Sequence, residues 1–121
     1  MRLKALRGAI TVEDNESGAI VSATEELVLA LLERNGLRAE DLVSCIFTVT
    51  DDLDAEFPAV AARNLGLDVV PLLCAREIPV PGSLPRVIRV LVHCYPPEGD
   101  HPKHVYLREA TQLRRDLEAA Q

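Results

Sequence analysis

Apolar and polar positions along this chain alternate with period two in some stretches and follow a helical period in others. Over residues 2–12, Leu3, Ala5, Arg7 and Ala9 fall on one face and Leu6 and Ile10 on the other, which predicts a strand. From Ser17 to Asn35 the apolar residues Ile20, Ala23, Leu27, Ala30 and Leu31 form one helical stripe, and Gly36 follows as a natural stop. Leu42–Val49 reads as a second strand. After the polar break Asp51-Asp52-Leu53-Asp54, Pro58 suits the first turn of a short helix, Ala59–Leu65, closed by Gly66.

Val69–Ala75 is nearly unbroken apolar sequence and is expected to be a third strand, buried on both faces. The prolines of Ile78–Pro85 cannot sustain a ladder and predict a loop. Arg86–Tyr95 is a fourth strand, Pro96–Lys103 a second loop and His104–Leu107 a short fifth strand. Arg108–Ala120 has helix-forming composition but a thin apolar stripe. It is expected to be a short helix with a loose tail, mobile over about residues 112–121. The order β-α-β-α-β-β-β predicts a single α+β domain over residues 1–121, with a mixed sheet.

Composition narrows what such a domain does. Aromatic residues make up 3% of the chain against 48% apolar residues, and Trp is absent, so Leu, Val, Ile and Ala must build the core. A net charge of −6 argues against a general nucleic-acid binder. Any anion site must therefore be a local cationic cluster working against the overall field. Cys45, Cys74 and Cys94 are odd in number and lie in apolar runs, which argues against a disulfide framework and for a reducing compartment. The N-terminus lacks the apolar core of a signal peptide and no stretch approaches the ~20 apolar residues of a membrane span. A soluble, cytoplasmic protein is expected.

Several polar residues interrupt these apolar strands: Arg7, Cys74, Glu77, Arg89 and Tyr106. Burying a charge beside Ile, Val and Leu is costly unless it is paired or meets a ligand. Two arginines, a carboxylate, a thiol and a phenol placed this way suggest a pocket for a small polyanion. Each residue alone has a plainer reading. Arg89 on an edge strand would face water, Cys74 would be a core thiol, and Glu77 would be a solvated loop carboxylate. A nucleophilic Cys74 would need a partnered His, and the histidines stand elsewhere, at 93, 101 and 104. His101-Pro102-Lys103-His104 with Cys94 fits no zinc spacing. The glycines are isolated, so no phosphate-binding loop is present.

Taken in order, five segments resemble the small AroH-class chorismate mutases: Arg7-Gly8-Ala9-Ile10-Thr11-Val12-Glu13, Asp52–Ala59, Val70–Glu77, Arg86–Leu91, and His104–Ala110 followed by Leu113-Arg114. The resemblance runs from residue 2 to about residue 117. It implies a mixed sheet with helices on one side, assembled as a homotrimeric pseudo-α/β-barrel with clefts between neighbouring chains. It implies isomerisation of chorismate to prephenate, at the branch toward phenylalanine and tyrosine, with no cofactor, metal, nucleic acid or membrane partner.

Carried over by position, Arg7 and Tyr106 resemble the residues that hold a substrate carboxylate. Arg89 resembles the cation at the ether oxygen. Glu77 and the region around Cys74 resemble the contacts to the ring and its hydroxyl, with Leu73, Ala75 and Arg76 beside them. Phe57 resembles an apolar wall, and Arg63, Leu113 and Arg114 resemble residues near the mouth. The chain departs from the family pattern at Val60, where a lysine is common, and at Arg115, where a proline is common. A deaminase on the related trimeric fold and a non-catalytic small-molecule binder remain the alternatives.

Overall fold

The computed structural model describes residues 2–97 and 101–114. Its strands are β1 (Lys4–Thr11), β2 (Leu42–Val49), β3 (Leu72–Arg76), β4 (Val87–Cys94) and β5 (Val105–Leu107), with helices α1 (Ser17–Arg34) and α2 (Ala59–Asn64). They form one mixed sheet in the order β3-β2-β4-β1-β5. The β1/β4 and β2/β4 pairs are antiparallel, and the β1/β5 and β2/β3 pairs are parallel. The α+β class and the mixed sheet are those the sequence predicts. No helix among the described residues is long and apolar enough to cross a membrane.

Alternation divides the sheet cleanly. Leu6 and Ile10 of β1, Cys45 and Phe47 of β2, and Ile88, Val90, Val92 and Cys94 of β4 are buried in one cluster with Ile20, Ala23, Leu27 and Leu31 of α1. Gly8 lies under that helix. A Cβ there would come within 2.8 Å of a Leu31 methyl and 3.1 Å of Leu27 and Val90, so helix and strand approach closely only because the side chain is missing. Both helices end in the same way. Leu37 N–H donates to Leu32 and Gly36 N–H to Glu33, and Leu67 and Gly66 do likewise to Ala62 and Arg63. Gly36 and Gly66 adopt the positive φ of 60° and 87° that this terminus requires.

Among the described residues, the opposite face of the sheet carries no long helix. Ala9 and Val87 are buried there under Ala110, packed with Leu84, Tyr106 and Leu113. That cover comes from the turn Arg108–Ala110 and the helical residues 111–114. Arg108 itself has φ 55°, and its guanidinium bonds the Thr11 carbonyl and Glu26 of α1, both at 3.1 Å. The backbone strain is thus offset by contacts that tie the turn to β1 and α1. Of the expected loose tail, residues 115–121 lie outside the described residues.

β3 corrects one expectation. It is an edge strand partly buried on one face only, where Leu72 and Cys74 pack against the core. Leu73 on the other face is 61% exposed, and Val69, expected inside the strand, precedes it at 82% exposure. An apolar run shows that a strand avoids water, but not whether its cover comes from its own chain.

Candidate active site

The open face of the sheet carries a cleft of about 470 Å³, a size suited to a small molecule. It is lined in part by Arg7, Ala9, Ile46, Thr48, Arg89, Leu91, Tyr106 and Leu113. Strand register explains why residues so distant in sequence meet. Ala75, Thr48, Arg89, Ala9 and Tyr106 are level with one another across β3, β2, β4, β1 and β5. Leu73, Ile46, Leu91 and Arg7 form the next row. With strands ~4.8 Å apart, Arg89 and Tyr106 rise roughly 10 Å from each other, with small Ala9 between them as the floor.

Arg89 is held in place. Its Nε lies 3.0 Å from Glu77 Oε2, and the same oxygen accepts a 2.6 Å hydrogen bond from Thr48 Oγ1. Glu77 follows β3 directly, and its N–H donates to the Val49 carbonyl at 2.9 Å, which extends the pairing and fixes the carboxylate. The Glu77 side chain is only 16% exposed and that of Arg89 46%. The contact engages Nε, and Arg89 also lines the cleft. A guanidinium fixed in this way is a preorganised positive end, needing no rearrangement when charge develops in front of it.

The structure therefore brings Arg7, Arg89, Tyr106 and Leu113 into one cleft, with Glu77 joined to it through Arg89 and Thr48 while lining a separate depression beside the proline-rich loop. Leu73 and Ala75 share their sheet face, exposed at the β3 edge. It does not bring in Cys74, whose register partner is Phe47 and whose side chain packs on the helix side. Cys74 instead lines a second depression with Phe57, Ala75 and Arg76. Phe57 is 67% exposed there, and Arg63 is exposed on α2, lining neither depression. Arg114 is exposed one residue past Leu113.

Thr48, Ala9, Ile46 and Leu91 join the site without having been singled out in the sequence. Cross-strand register places them, and nothing in their local sequence marks them. One signal was available for Cys74. Residues 74 and 77 differ by an odd number, so in continuous extended backbone they take opposite faces. Arg7, Arg89 and Tyr106 lie on the face that Glu77 takes.

Comparison with known proteins gives a consistent result. The family profile described as chorismate mutase type I matches residues 3–117. A protein from Thermus thermophilus named chorismate mutase AroH is 57% identical, the match covering 98% of this chain and 99% of that one. A protein of the same name from Bacillus subtilis is 39% identical over 97% of this chain and 94% of its own. The solved structure of a chorismate mutase from Clostridium thermocellum superposes with a TM-score of 0.87 at 50% identity, covering 90% of this chain and 98% of that one.

Proposed function

The chain belongs to the chorismate mutase type I family, so its reaction is the conversion of chorismate to prephenate in aromatic amino acid biosynthesis; from that premise we infer how its own residues carry the step. The observation that carries this reading is the Arg89 guanidinium, fixed by Glu77 on an open sheet face beside Arg7 and Tyr106.

The rearrangement is intramolecular. One C–O bond breaks while one C–C bond forms around a six-membered ring of atoms, with no nucleophile, proton transfer or redox partner. Two things lower its barrier: holding the compact conformer, and compensating the negative charge that grows on the ether oxygen. In this reading Arg7 and Tyr106 take a substrate carboxylate, and the Nη groups of Arg89 meet the ether oxygen. Glu77 accepts from the substrate hydroxyl through Oε1, its Oε2 being engaged by Arg89 and Thr48. Ala9, Ile46, Leu91 and Leu113 supply apolar walls that limit the substrate's conformations.

Charge counting supports a shared site. Arg7 and Arg89 against Glu77 leave one net positive charge, whereas chorismate carries two carboxylates. Leu73 is 61% exposed and Ile78 83% exposed at the edge carrying Glu77, a surface suited to cover by another subunit. The reading is a cytoplasmic homotrimer in which Phe57 and Arg63 of one subunit complete the cleft of the next, with Arg114 near the mouth.

The decisive assay follows the ultraviolet absorbance of chorismate, which falls as prephenate forms. Turnover of chorismate alone is expected, and its absence from folded protein would sink the reading. Assembly has its own test. Arg89→Ala and Arg63→Ala chains, each impaired alone, are expected to regain activity when refolded together in equal amounts, with about a quarter of all clefts wild type if assembly is random. A stable, active monomer in light scattering would refute the shared cleft.

Cys74 carries no covalent step in this mechanism. Cys74→Ala is expected to retain most of kcat and to form no trapped adduct by mass spectrometry. A folded, substrate-binding but inactive Cys74→Ala protein would contradict the assignment.

A further inference from the structure

The main chain of Arg7 has an imidazole as its partner. Its backbone N–H donates to Nδ1 of His104 at 3.0 Å. This happens one residue before β5 joins β1, where Gly8 lies level with Val105. In a parallel ladder an amide at such a point would ordinarily meet a main-chain carbonyl. Here a side chain that can gain or lose a proton takes that place, beside a guanidinium of the cleft.

His104 is also braced from behind. Asn35, 5% exposed at the end of α1, accepts from Lys103 N–H at 2.7 Å and donates to the Lys103 carbonyl at 2.9 Å. Its amide also bonds the Leu31 carbonyl at 2.9 Å. The helix thus fixes residue 103 on both of its main-chain groups, and residue 104 follows from that anchor.

We propose that His104 is a positioning residue for Arg7: its neutral ring, with Nδ1 unprotonated, holds the Arg7 main chain and so sets where the guanidinium meets the substrate carboxylate. This rests on the reading of Arg7 as a carboxylate-binding group. Protonation at Nδ1 removes the acceptor and turns an N–H toward the Arg7 amide, which cannot remain in place. From β1 the charged group facing His104 is Arg7. From the end of α1 its segment meets the uncharged Asn35, and along its own segment Lys103 and Tyr106 flank it.

The electrostatics favour the working form. Desolvation, and then the Arg7 charge, lower the His104 pKa from its ordinary 6.5. With the folded value depressed, the associated stability is present above the unfolded value and is lost as pH falls through the folded one. Substrate carboxylates, with pKa values near ~4, stay ionised across this window, so a change in binding there reports on the protein.

The test compares His104→Ala, His104→Asn and Arg7→Ala with the wild type in steady-state assays with chorismate from pH 5 to 8. His104→Ala is expected to raise KM about tenfold with kcat nearly unchanged, the scale of one lost hydrogen bond. In the wild type, KM should climb as pH falls through the folded pKa of His104, which burial and the Arg7 charge hold below its ordinary value. Asn Oδ1 can stand where Nδ1 does, so His104→Asn should bind like the wild type at pH 8 and lose the acid rise in KM.

Three results would overturn the proposal: an unchanged KM in folded His104→Ala, an acid rise that persists in His104→Asn, or a wild-type KM that falls in acid because the imidazolium attracts the substrate. If His104→Ala does not fold, the pH profile of His104→Asn still decides. Should Arg7→Ala leave KM unchanged, the reading of Arg7 itself fails. If Arg7→Ala raises KM and His104→Ala does not, only the role of His104 is lost.

Discussion

Arg89→Ala is expected to remain folded and to lose about 10²–10³-fold or more in kcat, the range seen when one well-placed donor to a developing negative charge is removed. The loss belongs in kcat because the ether oxygen is nearly neutral in bound chorismate and becomes charged only as the C–O bond stretches. The variant also strips Glu77 of its partner at 3.0 Å, leaving a mostly covered carboxylate facing an incoming dianion. KM should therefore rise as well. Adding Glu77→Gln should recover the binding part and not the rate. Citrulline at position 89 separates shape from charge, since it keeps a planar, hydrogen-bonding head without the cation. A citrulline enzyme with near-normal kcat would show that Arg89 positions the substrate and does not stabilise the transition state.

The second large effect is on stability. Phe47 is fully buried, whereas Phe57 and Tyr95 stand partly or largely exposed and Tyr106 lines the cleft. In a chain with 3% aromatic residues, it is the one aromatic ring in the buried core among the described residues. Phe47→Ala should cost about 3–5 kcal/mol, since the cavity lies in the middle of β2 and its neighbours on β3 and β4 are held by ladder bonds. Thermal unfolding should report a Tm lower by roughly 10–20 °C for a domain of this size. Phe47→Leu should lose far less. Equal losses in both variants would mean that packing there is not limited by volume.

The elements were legible wherever a single period dominates. Alternation along β1 put Arg7 opposite Leu6 and Ile10, and the stripe from Ile20 to Leu31 named the face of α1 that covers the sheet. Register was not legible, because nothing in β2 alone says that Thr48 lies level with Arg89 and Ala75. The ion pair between Arg89 and Glu77 was hidden for the same reason, although both residues drew notice as charges in apolar surroundings. β3 misled through composition: Leu72-Leu73 looks like core whether its cover comes from its own helices or from outside. His104 drew notice as a metal candidate, while its contact is with a backbone amide that no spacing rule could anticipate.

The sheet order gives the cleft two kinds of support. Arg7 and Arg89 stand on β1 and β4, each flanked by a strand on both sides, whereas Glu77 extends from β3, which pairs with β2 alone. Edge pairings open more readily than central ones, well short of global unfolding. The cations are thus tied to the last part of the fold to fail, and their counter-charge to an earlier one. When the β3 edge frays, the site does not dissolve evenly. It becomes more positive while the guanidinium of Arg89 loses its aim, leaving a cleft that still attracts dianions but no longer orients them. Loss of turnover would then precede loss of ligand capture, and a substitution that loosens the β3–β2 pairing would lower catalysis from a position away from the substrate.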